Sequence, residues 1–400
     1  MATTHFVNDY RRLRRATAFT GIADGMIAVG LPLLVAGLTN NPIAIAGVMA
    51  TQHLPWVGFE FFDINVRAPA DRRTILGLAN TLRALMAVGL GGLAIINKET
   101  LPLIYLAALV FGLGEASTDE AEDETLDVLL DESAASDARS SLRSLGMAGI
   151  GLVGLPVGGL LYSVVAGAPF MVAMVAYALG GIFALFVKTA IAPSPNSKIL
   201  DGRLPDKQIM PRSARPVVII ASVTAGATSA VLGVFVLYTT ATLGLTAPAY
   251  GFILAGLAAS SFLGSQLAPS IGQRLGLSNA ISMVLAVSGI SYGVTSMLTN
   301  GSLVGALGPI VIASGGAMCA SVLLRAAFQA VHLSFGKSVD SNALRTFHLA
   351  TWAAICVGAF MGGLIVKLSG FPTLFLITSG FILVCTAMAT ALQANSSPSR

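Results

Sequence analysis

The stretch LGLSNAISMVLAVSGISYGVTSMLTNGSLVGALGPIVIASGGAMCASVLL, Leu275 to Leu324, carries no charged residue from end to end. A helix needs roughly 20 apolar residues to cross about 30 Å of hydrocarbon. The stretch is too long for one crossing, so it holds two, joined by a short turn. Its apolar residues run continuously and do not alternate, which argues against the period-two pattern of a membrane barrel. The decisive reading is therefore helical and membrane-spanning.

Working outward, the same texture fills the chain. Residues 216–244 are also free of charge, and of 400 residues 55% are hydrophobic and only 10% charged. A soluble domain averages roughly 25% charged residues, so this chain lacks the charge to cover a water-facing surface. Twelve spans can be marked, near 16–38, 42–66, 74–96, 101–122, 141–165, 168–192, 216–243, 248–270, 278–299, 302–331, 343–369 and 371–392. The first is expected to be a retained span rather than a cleaved signal, because no small-residue cleavage site follows its apolar run. Cys319, Cys356 and Cys385 all fall inside spans, so they imply neither a disulfide framework nor a metal motif. No cofactor and no metal site is expected.

Between spans six and seven lies APSPNSKILDGRLPDKQIMPRSARP, a polar, Pro-, Ser- and base-rich tether. It divides the chain into expected bundles at 1–192 and 216–400, with a linker at 193–215. Arg11, Arg12, Arg14, Arg15, Arg67, Arg72, Arg73, Arg139, Arg143, the linker bases, Arg274, Lys337 and Arg345 all fall on one side of this topology. The other side has Lys98 and Lys367. Under the positive-inside rule both termini and the linker face the cytoplasm, as in a multi-pass protein of the inner (plasma) membrane.

This layout of six and six spans is that of the major facilitator superfamily, and local motifs add to the likeness. GIADGMIAVGLPLLVAGLTNNPIAIAGVMATQHLPWV (21–57), FGLGE with Asp119, LGLTAPAYGFILAGLAASSFLGSQLAPSIGQRLG (243–276) and SNALR (341–345) resemble its drug and siderophore exporter branch, which includes macrolide-efflux and enterobactin-exporter-like proteins. Two departures stand out. In the loop after span two, Ile64, Ala68, Pro69, Arg72 and Arg73 keep only the final basic pair of the superfamily pattern G-x-x-x-D-R-x-x-R-R. GLPVGG (Gly154 to Gly159) keeps the glycines of the antiporter motif but moves the proline to Pro156. The resemblance implies an all-α membrane transporter with substrate held between two bundles that rock against each other, a cytoplasmic gate near Arg72, Arg73 and Arg345, and export of amphipathic compounds.

Charges inside spans cost roughly 2.5–3.5 kcal/mol on insertion scales, so each needs a reason. Asp24 lies about 12 Å into span one by helical rise, with no neighbour in sequence to neutralise it. It either binds and releases a proton or forms a structural pair with a base such as Arg83. Glu115 and Asp119 share a face of span four, where like charges discourage simultaneous ionisation; Arg83 on the neighbouring span is their natural partner. Asp24, Glu115, Asp119 and Arg83 are thus the candidate proton-coupling set. Glu60 and Asp63 approach the end of span two, and His53 shares a helix face with Glu60.

Ten acidic residues and no base lie between Glu115 and Asp137, more than half of the 19 acids in the chain. A solvated helical extension paired with Arg72, Arg73, Arg139 and Arg143 accounts for them; a divalent-cation site is the competing reading. For substrate, Tyr238, Thr239 and Thr242 on span seven and Arg325 and Gln329 on span ten, beside His332, are the candidate path. GIGLVG (149–154) and GISYG (289–293) match dinucleotide-binding and serine-hydrolase spacings, but both sit within spans, where glycines serve close helix packing. Enzyme chemistry is set aside. The expected activity is proton-coupled efflux of small amphipathic or hydrophobic compounds by a monomer in the bilayer, without nucleic-acid partners. Uptake or cation transport is the alternative.

Overall fold

The computed structural model describes residues 2–62, 72–129, 132–187, 214–298, 302–334 and 341–396. The expectations for Asp63, Ile64, Arg67, Ala68, Pro69, Lys337 and most of the linker fall outside the described residues. Every regular element among those described is helical: α1 (Ala2–Leu38), α2 (Pro42–Phe62), α3 (Arg72–Ile95), α4 (Leu101–Leu129), α5 (Glu132–Ala148), α6 (Leu155–Val164), α7 (Ala168–Leu185), α8 (Arg215–Leu232), α9 (Phe235–Leu237), α10 (Ala247–Leu275), α11 (Leu277–Leu298), α12 (Leu303–Ser334) and α13 (Ser341–Ser396). Two π segments, Gly149–Gly154 and Tyr238–Thr242, join α5 to α6 and extend α9.

Helices suit a lipid-immersed chain, because each backbone donor finds its acceptor within its own segment. Among the described residues, ten stretches are long and apolar enough to cross a membrane. One of them, Ala343–Ala391, is divided into two limbs at Gly370, whose φ of 82° a side chain would oppose. With that division and α2, the described residues hold ten to twelve apolar helices, consistent with the twelve spans expected. The span expected at 216–243 is broken after α8, and the one expected at 141–165 contains a π turn. Hydroxyl side chains inside spans return to their own helices: Thr118, Thr125, Ser288 and Thr295 each donate to the carbonyl four residues back.

The described chain forms two compact units. Unit 1 holds 1–38, 61–206 and 245–255; unit 2 holds 39–60, 207–244 and 256–400. In unit 1, α1 packs on α7, on the Gly149–Gly154 π segment and on α6, while α3 packs on α4 and α7. Gly25 allows the α1 approach, since a Cβ there would meet Ile150 O at 2.6 Å and Gly154 Cα at 2.8 Å. The GIGLVG glycines thus serve close packing. In unit 2, α13 packs on α8 and α11, and α11 on α12. The GISYG glycines lie against the second limb of α13, Gly289 on Leu383 and Gly293 on Ser379.

Candidate functional site

Arg83 of α3 is completely buried. Its stem crosses α4 at Gly114, where a Cβ would stand 2.7–2.8 Å from Arg83 Cγ, Cδ and Nε. Only a residue without a side chain leaves that passage open. The guanidinium then meets three elements. Nη1 donates to Asp24 Oδ1 of α1 at 3.0 Å, and Nη2 donates to Asn80 Oδ1 at 2.9 Å and to Thr118 Oγ1 at 3.0 Å. Thr118 spends its hydroxyl proton on Gly114 O, leaving a lone pair for the arginine. Tyr177 of α7 donates from its hydroxyl to the same Asp24 Oδ1 at 2.6 Å, and its ring lies 4.8 Å beneath the guanidinium carbon. Phe111 stacks on that ring.

The two charges differ in access: the Arg83 side chain is 0% exposed, that of Asp24 21%. The cation is fully enclosed while its anion is partly exposed. Glu115 and Asp119 act electrostatically on the same guanidinium from α4. Asp24, Arg83, Glu115 and Asp119 therefore gather in one region of unit 1, with one cation facing three carboxyl groups.

Further along α4 the acids are paired. Arg72 Nε meets Glu124 Oε2 at 2.8 Å; Arg139 Nε and Arg143 Nη2 meet Asp123 at 2.7 and 3.6 Å. Arg73 is partly buried beside Arg72. Among the described residues, no group of three His, Cys, Asp or Glu is placed to hold a metal.

Unit 2 is built differently. It contains a cavity of about 290 Å³ with no charged side chain in its lining. Hydroxyls of Thr224, Thr228, Ser261, Ser314, Ser321 and Thr351 supply its polarity; Met49, Met318, Phe347 and His53 supply apolar and aromatic surface. The candidate path residues lie elsewhere. Tyr238 is buried under Phe371 and Phe375, with ring centroids at 5.2 and 5.0 Å. Thr239 donates to Phe235 O, and Thr242 is exposed. Arg325 follows Leu324, the last α12 residue in the lining, and Gln329 is exposed one turn on.

Arg345 ties α13 to α2 by donating from Nε to Glu60 O at 2.6 Å, and His348 Nδ1 lies 3.1 Å from Glu60 Oε1. Higher on the same pair, Trp352 stacks on Trp56 at 4.8 Å and faces His53 at 5.8 Å.

Asn80, Gly114, Thr118 and Tyr177 were not among the sequence candidates. Asn80 could have been found, since it precedes Arg83 by three residues and shares its helix face. A tyrosine in an apolar span carries no such signal.

A family model described as transmembrane secretion effector matches residues 6–397. No curated protein matches the sequence significantly. Among solved structures, a bacterial homologue of the iron transporter ferroportin in its inward-facing state superposes with a TM-score of 0.76 at 14% identity, covering 97% of this chain and 99% of that one. The nucleoside transporter NupG gives 0.74 at 16%, covering 96% and 99%. A bacterial homolog of the human lysosomal transporter Spinster, inward-facing and unoccupied, gives 0.71 at 13%, covering 99% of each chain. At these identities the likeness is one of fold. Taken with the helical architecture and the match along nearly the whole chain, the protein belongs to the transmembrane secretion effector family of the major facilitator superfamily and is a multi-pass membrane transporter of small molecules, not an enzyme.

Proposed function

We propose that this transporter exports small amphipathic or hydrophobic compounds in exchange for protons, by alternating access of its two six-helix halves, 1–192 and 216–400, about the 193–215 linker. The observation that carries the reading is the Asp24–Arg83–Tyr177 cluster. A fully buried guanidinium requires an anion, and Asp24 is the one it holds at 3.0 Å. Protonation of Asp24 removes that anion, and Arg83 must then be neutralised by Glu115 or Asp119 on α4. Two arrangements of one buried charge are the kind of bistable element through which ion binding biases a conformational equilibrium.

The uncharged cavity of unit 2 supports the substrate class. Its hydroxyls and His53 offer hydrogen bonds without fixed charge, which suits amphipathic molecules of modest size. The exporter-branch motifs and the family description support the outward direction. Both termini are taken to be cytoplasmic, in the inner membrane, with the chain working as a monomer.

Inverted membrane vesicles given a panel of amphipathic dyes from outside test the reading. Dye addition should evoke a proton flux that Asp24→Asn abolishes and Tyr177→Phe lowers about tenfold or more, the worth of a hydrogen bond to a charged group being roughly 1.5–3 kcal/mol. A dye-evoked flux left unchanged by Asp24→Asn would remove Asp24 from the mechanism. Dye accumulation without any proton movement would end the antiport reading.

A further inference from the structure

Thr17 sits on α1 two turns before Asp24 and is 8% exposed. Its hydroxyl has one proton to give, yet two acceptors stand within reach. Leu13 O lies 3.1 Å away and Glu122 Oε1 of α4 lies 2.8 Å away. Two proton arrangements fit this geometry. If Glu122 is a neutral acid, it donates to Thr17 Oγ1, and Thr17 donates to Leu13 O. If Glu122 is ionised, the threonine proton turns to the carboxylate, and Leu13 O keeps only its helical bond.

No cation is paired with Glu122 among the described residues. The arginines on neighbouring elements are engaged: Arg83 of α3 by Asp24, Arg72 of α3 by Glu124, and Arg139 and Arg143 of α5 by Asp123. On its own helix Glu122 faces the like charges of Asp119 and Asp123, and from α3 it also feels the cation of Arg83, although the two form no ion pair. From α1 it receives only the Thr17 hydroxyl. It thus stands one helical turn from Thr118, which binds Arg83, and next to Asp123 at the ion-paired end of α4.

We propose that Glu122 is a second proton-exchanging carboxyl of unit 1, held by Thr17 and passing protons between the Asp24 cluster and the ion-paired end of α4. Each cycle adds one proton to a Glu122 carboxylate oxygen and later releases it to water; Thr17 only reorients its hydroxyl. The proposal rests on the proton-coupling reading above for its purpose, though not for the titration itself.

Infrared difference spectra of the purified full-length protein across a pH step test it without knowledge of the substrate. The wild type should show a protonated-carboxyl carbonyl band that titrates. Glu122→Gln should lose that band and take up a proton less per chain, while Glu122→Asp restores it. Thr17→Val should keep the band but shift it to higher frequency, because the acid O–H of Glu122 loses its Thr17 acceptor. Asp24→Asn should leave it in place. Identical titrating bands in wild type and Glu122→Gln would overturn the proposal, as would a Thr17→Val spectrum unmoved from wild type. If the Glu122 band behaves as expected while Asp24→Asn vesicles retain dye-evoked proton flux, the coupling reading fails and the Glu122 assignment stands.

Discussion

The two units handle polarity in opposite ways. Unit 1 buries a full charge and surrounds it with ionisable partners from α1, α4 and α7. Unit 2 lines its cavity with hydroxyls and a histidine and keeps fixed charge out of it. Beyond Asp206 the chain has a single acidic residue, Asp340. A buried charge carries an insertion cost that a partner or a function must offset. A hydroxyl-lined cavity can admit and release a neutral guest without stranding an ion. Under the proposed function, ion handling falls to one unit and guest binding to the other.

The largest effect that would break this contrast is on the buried cation. Arg83→Met strands Asp24 and its neighbours, so a loss of about 3–5 kcal/mol is expected, read as a lower melting temperature of the purified protein. Adding Asp24→Asn to that variant should recover most of the loss. A single variant as stable as wild type would mean that unit 1 does not depend on its charge pair.

Gly114→Ala comes next. Its Cβ would press on the Arg83 stem at 2.7–2.8 Å, and overpacking of this kind costs about 1–3 kcal/mol. Proton-linked flux should fall with stability, since the guanidinium is pushed from Asp24. Unit 2 predicts a smaller and different response. Ser321→Ala removes a cavity hydroxyl worth about 1 kcal/mol, roughly fivefold in apparent dye affinity, with melting temperature and carboxyl titration unchanged. A change in proton stoichiometry there would blur the division between units.

The smallest effect belongs to the end of α4. The Arg143–Asp123 pair is 3.6 Å apart with side chains 62% and 41% exposed, and exposed pairs contribute about 0–1 kcal/mol. Arg143→Ala should shift the melting temperature by no more than a degree or two and fade further in high salt. A larger loss would mark this end of the helix as more than a solvated face.

Much of the fold was legible because hydrocarbon imposes a one-dimensional rule: apolar length sets a crossing. The spans read from residues 275–324 recur as α11 and α12. Asp24, Glu115, Asp119 and Arg83 were legible for the same reason, since a charge in such a run is conspicuous. Tyr177 and Thr118 were not, because a tyrosine or threonine in a span looks the same whether it holds a carboxylate or only its own helix. The cavity hydroxyls were hidden likewise. Serines and threonines are scattered along α8, α10, α12 and α13, and nothing in their spacing says which of them converge.

The charge-free stretch and its neighbours thus determined by themselves that this chain is a helical membrane protein and which charges had to be accounted for. Only the tertiary structure decided their partners: that Arg83 passes α4 through the gap at Gly114 to reach Asp24, that Tyr177 shares that carboxylate, and that α2 runs along α13 from Trp56 to Glu60. Burial is a property of a single segment in its solvent, whereas hydrogen bonds and ion pairs join residues 59 or 153 positions apart. Helix packing alone brings those together.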